Sequence, residues 1–273
     1  MQWNRIQAVI RKDLREVTAN RMVVLPMVIV PLLFCILMPV GFVLAFLLID
    51  PDAIIGNMNG TAMLEKLFSS YPIPADFHTL PLKFLFIFLN YTFIPLFLLI
   101  PIMVSSVIAA NSVVGEKERR TLETLLYTPI TNREFITAKL LSSFFPAVVV
   151  SLGGFLLFFL AGNAASYVAG GILAIRSPIW IPVMLLLSPA VSLLGLSVTL
   201  SVSLKAKTFM EAQQTAGVIV LPFVLLVVVQ VTGLVTFKGW MVVLFALVLL
   251  GIDYLLIGRL SPRFSRERIL ATL

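Results

Sequence analysis

The chain has 273 residues, 60% of them hydrophobic and 12% charged, with a formal net charge of +7 and a mean hydropathy of +1.06. This composition excludes a soluble domain, because several uncharged runs exceed the roughly 20 residues an α-helix needs to cross about 30 Å of hydrocarbon. The alternating pattern of a membrane barrel is absent, so the backbone must satisfy its own polar groups as helices. One cysteine and one histidine leave neither a disulfide nor a metal cluster. Cys35, inside an apolar run, reads as a small buried hydrophobe.

Residues 1–21 come first. Trp3, Ile6, Ile10, Leu14 and Val17 recur at three- and four-residue steps, with Asn4, Arg5, Arg11, Lys12, Arg15 and Glu16 opposite. That pattern predicts a basic amphipathic helix lying in the headgroup plane. It serves either as a topology anchor or as an elbow that also supports a cytoplasmic partner. With five basic residues and no apolar core ending in a small-residue site, no cleavable signal peptide is expected here.

The remainder, 22–273, reads as a transmembrane domain of six spans, at about 22–49, 84–110, 140–161, 178–204, 215–236 and 239–258. Between the first two, residues 50–83 form an extracytoplasmic loop. It holds a short amphipathic helix at 54–68 and an irregular Tyr71-Pro72-Ile73-Pro74, acting as a lid over helix ends or as a gate or docking surface. Gly162, Asn163, Gly170, Gly171 and Ser177-Pro178 mark the return between the third and fourth spans. Six spans place both termini on one side, together with sixteen of the twenty Lys and Arg. The positive-inside rule makes that side cytoplasmic. The basic excess thus reports orientation and attraction to anionic headgroups, about 1 kcal/mol per residue, rather than nucleic-acid binding.

The cytoplasmic loop 111–139 interrupts the oil with GEKERRTLETLLYTPITNREF. Leu122, Leu125 and Leu126 fall on one face of a short helix, with Glu123 in its first turn, where a negative charge suits the dipole. Thr128-Pro129 stops that helix. Thr131 and Glu134 have capping-box spacing, which starts another helix running through Lys139 into the third span. The loop is therefore expected to be helix, break, helix. An apolar face on so short a surface helix needs a cover, either the headgroups or another protein, and a docking element is the first expectation.

Glu116-Lys117-Glu118-Arg119-Arg120-Thr121-Leu122-Glu123, followed by Leu125-Leu126, Thr128-Pro129, Arg133-Glu134 and Lys139-Leu140, resembles the cytoplasmic signature of ABC-2-type permeases, with Arg120 where glycine is usual. These are the membrane subunits of one class of ATP-binding cassette exporter. The resemblance implies a coupling helix at 121–127, between spans two and three, seated in a cleft of a separate ATPase subunit. Glu116, Glu118, Arg119 and Glu123 would make its polar contacts, and Leu122, Leu125 and Leu126 its packing, flanked by Thr121, Thr128 and Pro129. It also implies an all-α, multi-pass protein of the cell membrane, working as a homo- or heterodimer of permeases with two ATPases. The chain lacks a Gly-x-x-x-x-Gly-Lys-Ser/Thr phosphate loop, so ATP and Mg would belong to the partner. No cofactor and no catalytic site are expected on this chain.

Within the spans, ten prolines mark kinks or hinges. Asn90, Tyr91, Thr92, Ser105, Ser106, Gln230 and Thr232 are candidates for lining a path, and helix–helix hydrogen bonding accounts for them equally well. Asp253, the one acid inside a span, is a functional candidate by its depth, but its nearness to Arg259 and the cytoplasmic surface points to a structural pairing instead. A self-contained secondary transporter is the alternative, but inverted repeats and paired intramembrane charges are not evident. An intramembrane enzyme would need a catalytic constellation that one histidine and one intramembrane acid do not supply.

Overall fold

A computed structural model describes residues 2–48, 68–119, 121, 130–231 and 237–263. Among these the chain is all-α. Helix α1, Trp3–Ala19, lies ahead of six helices long and apolar enough to cross a membrane. The six are α2, Arg21–Leu48; α3, Leu80–Glu118; α4, Asn132–Gly170; α5, Trp180–Ser203; α6, Phe209–Gln230; and α7, Gly239–Arg263. The 54–68 helix expected from sequence lies outside the described residues except for Phe68.

Helix α3 is the hub of the bundle: 83% of its most apolar window is buried, and 67% of that of α5. The corresponding windows of α2, α4, α6 and α7 are only 17–22% buried. Large apolar side chains such as Leu37, Val149, Leu225 and Leu247 point outward from those four helices. That inside-out pattern suits lipid as solvent, where close helix approach rests on small residues rather than on a hydrophobic drive. Gly195 of α5 shows it. A Cβ there would lie 2.6 Å from Ser105 Oγ and 3.2 Å from the Ile102 carbonyl. Ser106 Oγ donates across the same seam to the Gly195 carbonyl. Gly195→Val is expected to cost about 1–3 kcal/mol through overpacking, read as a lower thermal midpoint of the detergent-solubilised chain.

Two helices run further than their uncharged stretches suggest. Helix α4 starts at the capping box, where Thr131 Oγ1 accepts from Glu134 N and a Glu134 carboxylate oxygen accepts from Thr131 N. It ends only at Gly171, whose φ of 68° is the left-handed turn that suits glycine. Helix α3 continues through Asn111–Gly115 as a wide turn and then Glu116–Glu118. Residues 111–118, expected as loop, are thus helix, with Asn111 to Glu116 all buried.

Between α4 and α5 the chain crosses apolar surroundings without regular structure at 173–177. Backbone in such surroundings must find polar partners within the protein, and two asparagines supply them. Asn90 Nδ2 donates to the Ala174 carbonyl at 2.7 Å, and Asn90 Oδ1 accepts from Arg176 N and Ser177 N at 3.2 and 3.0 Å. Asn163 pairs with both backbone groups of Ile175.

Candidate functional site

The charged stretch ending α3 is where the elements converge, and four consecutive residues reach four different helices. Glu116, fully buried, receives Lys139 Nζ of α4 at 3.0 Å and is also bonded by Lys12 of α1. Lys117 Nζ donates to the carbonyls of Ser203 and Leu204 at 3.4 and 3.1 Å, capping the C-terminus of α5, where a cation complements the dipole. Glu118 Oε1 accepts from Phe209 N at 3.0 Å at the start of α6, where an anion is favoured. Arg119 Nη1 meets Glu16 of α1 at 2.5 Å.

Beneath them sits Asp13, 1% exposed, whose Oδ1 receives Lys139 Nζ and whose Oδ2 receives Ser142 Oγ, both at 3.0 Å. Lys139 itself is 1% exposed. Burial pushes the Asp13 carboxyl above its usual pKa against the pull of Lys139. Burial alone would lower the Lys12 ammonium, but Glu116, Asp13 and Glu16 more than offset it, leaving its pKa raised. Oxygens of Asp13, Glu16 and Glu116 come within 4.8 Å of one another. The three carboxylates are matched by Lys12, Lys139 and Arg119, so the cluster is a charge-balanced joint. The amide of Gln2 adds a bond to Glu134 Oε1 at 2.7 Å, tying the start of α1 to the start of α4.

The sequence-derived site residues divide accordingly. Glu118, Arg119 and Thr121 are exposed at the root of the loop. Glu116 is a correction: it is buried and holds helices together instead of facing a partner. Leu122, Glu123, Leu125, Leu126, Thr128 and Pro129 lie outside the described residues. On α1 the buried stripe is Ile6, Val9, Asp13 and Val17, with Ile6 and Val9 packed against Ala138 of α4. Ile10 and Leu14 are half-buried and Trp3 is 56% exposed. The joint's bonded partners Lys12, Asp13, Glu16, Lys117, Lys139 and Ser142 are not among the residues that sequence singled out as a site. One signal was present: Asp13 stands four residues from both Val9 and Val17, an acid on the apolar face.

The polar span residues are mostly committed to structure. Asn90 holds the 173–177 stretch as described. Gln230 Nε2 donates at 3.2 Å to the Tyr91 carbonyl, which Pro95, lacking an N–H, cannot serve as i+4 donor. Ser105 Oγ bonds the Ile102 carbonyl in the Gly195 seam, and Thr92 is buried. Tyr91 lines a cavity at the end of the bundle far from the charges. Thr232 lies outside the described residues. Asp253 is buried on the Val242–Ala246–Leu249–Leu260 face, and neither of its oxygens has a hydrogen-bond partner among the described residues. The expected pairing with Arg259 is absent, since a separation of six places the two on different faces of α7.

Neither the curated proteins nor the solved structures give a match to this chain. A family model described as "ABC-2 family transporter protein" matches residues 7–243, from within α1 into α7, and so takes in the whole joint. A match over that much of the sequence, on a body of six apolar helices, makes the chain a member of the ABC-2 transporter family, a membrane component of ABC transport.

Proposed function

We propose that the chain is the permease subunit of an ATP-driven exporter of the cell membrane, with both termini and the charged joint on the cytoplasmic side. A separate ATPase subunit, carrying ATP and Mg, docks on residues 121–129. Two permease chains, identical or related, complete the assembly. One observation carries this reading: the loop departs from a joint in which residues 116–119 are bonded to α1, α4, α5 and α6 at once. A displacement of residues 116–119 therefore reaches four helices at once. Sixteen of the twenty basic residues on the joint's side support the orientation.

The test is co-purification of an ATPase with the full chain. Leu122→Asp places a charge on the leucine face and is expected to weaken association by about 2 kcal/mol or more, roughly thirtyfold. Glu118→Lys is expected to act in the same direction, although it also removes the anion at Phe209 N. Undiminished association in Leu122→Asp, or transport by the chain alone in sealed vesicles, would refute the reading.

A further inference from the structure

At the end of the bundle opposite the joint lies a cavity of about 430 Å³, within the range of small-molecule sites. Its walls are mostly apolar: the rings of Tyr71 and Tyr91, 4.7 Å apart, with Ile179 and Phe237. Ser177, whose Oγ bonds Tyr91 Oη at 3.3 Å, adds a polar point. Among the described residues, Lys238 supplies the lining's only charge and no carboxylate lines the cavity. Arg176 nearby is held by Asp76 at 2.7 Å, and Lys83 lies over the Phe68 ring. The Lys238 ammonium, by contrast, is exposed and has neither ion pair nor side-chain hydrogen bond among the described residues.

An apolar chamber with one uncommitted cation at its rim selects an amphiphile with an anionic end. We propose that this cavity binds a single-chain or single-ring amphiphilic anion, its body among Tyr71, Tyr91, Ile179 and Phe237 and its carboxylate, sulfate or phosphate at Lys238. At about 430 Å³ the cavity lies toward the small end of ligand sites, which suits a single-chain body better than a two-chain phospholipid. The proposal deepens the exporter reading by naming its class of cargo, and rests on that reading for the word cargo. Binding itself is measurable without an ATPase.

The probe is a photoreactive fatty acid of about twelve carbons, matched to that volume, and its control is the alcohol of the same length. Both are applied to the full chain in zwitterionic nanodiscs, and the labelled peptides are identified by mass spectrometry. Carboxylate adducts are expected on segments 70–72, 91 and 237–239. Lys238→Glu should lower carboxylate labelling about fivefold, the worth of one solvent-exposed charge contact, while leaving the alcohol unaffected. At Gly239 an added Cβ meets nothing within 4 Å, so Gly239→Leu fills space without a clash and should suppress both labels. Label spread over lipid-facing residues such as Leu225 and Tyr254 would overturn the proposal. So would carboxylate labelling unchanged in Lys238→Glu, or competition by an anionic two-chain phospholipid. An unlabelled cavity leaves the ATPase seat standing, and failed co-purification of the ATPase leaves the labelling readable.

Discussion

Lys139→Met is expected to destabilise the folded chain by about 3–5 kcal/mol, the cost of stripping the counter-charge from buried carboxylates. Asp13 and Glu116 are 1% and 0% exposed, and each loses a 3.0 Å bond to the ammonium. Lys12 still reaches Glu116, but its side chain is 40% exposed and contributes more weakly. For a chain of this size the shift in thermal midpoint is on the order of 10 °C. The coupling within the cluster gives a sharper check. Adding Asp13→Asn and Glu116→Gln to Lys139→Met removes the three deeply buried charges of this cluster, leaving Lys12 to water, and should recover most of the loss. Arg119→Ala breaks an exposed pair with Glu16 and should cost less than about 1 kcal/mol. Thermal unfolding of the four detergent-solubilised proteins decides it. A triple variant no more stable than Lys139→Met would mean that the charges do not act as one unit.

The joint shows why hydropathy reads some features of this protein and misses others. Six apolar helices are legible because the membrane imposes length and polarity on each segment separately. The capping box at Thr131 and Glu134 is equally local, and the structure forms it. The joint is not local: Lys12 and Glu116 are 104 residues apart and Asp13 and Lys139 are 126 apart. Each read alone looks like an interfacial charge. Asp13 is the exception, since its place on the apolar stripe of α1 marks a buried acid awaiting a cation. The extension of α3 through Glu118 was hidden for a related reason. Charge density after Gly115 reads as loop, whereas the charges are there to bond neighbouring helix ends.

Asn90 makes the complementary case at the far end of the bundle. Its polarity inside a span was visible, but its partners are backbone groups of a segment more than eighty residues away. Asn90→Leu keeps the approximate volume and removes every one of those bonds. The Ala174 carbonyl loses its donor, and the amides of Arg176 and Ser177 lose their acceptor. Ala174 and Ser177 are buried, so water does not readily replace what is lost. At about 1–3 kcal/mol for each of the two buried orphaned groups, the loss is on the order of 2–6 kcal/mol. Gln230→Leu, which removes a single bond to the Tyr91 carbonyl, should cost about 1 kcal/mol and serves as the control. Because Ser177 and Tyr91 also line the cavity, labelling by the photoreactive fatty acid should fall in Asn90→Leu even where the protein stays monodisperse. Hydrogen exchange is the direct readout: the amides of Arg176 and Ser177 should lose protection in Asn90→Leu and keep it in Gln230→Leu. Equal protection in both variants would mean that the 173–177 stretch is held by packing alone, and Asn90 would then have no bracing role.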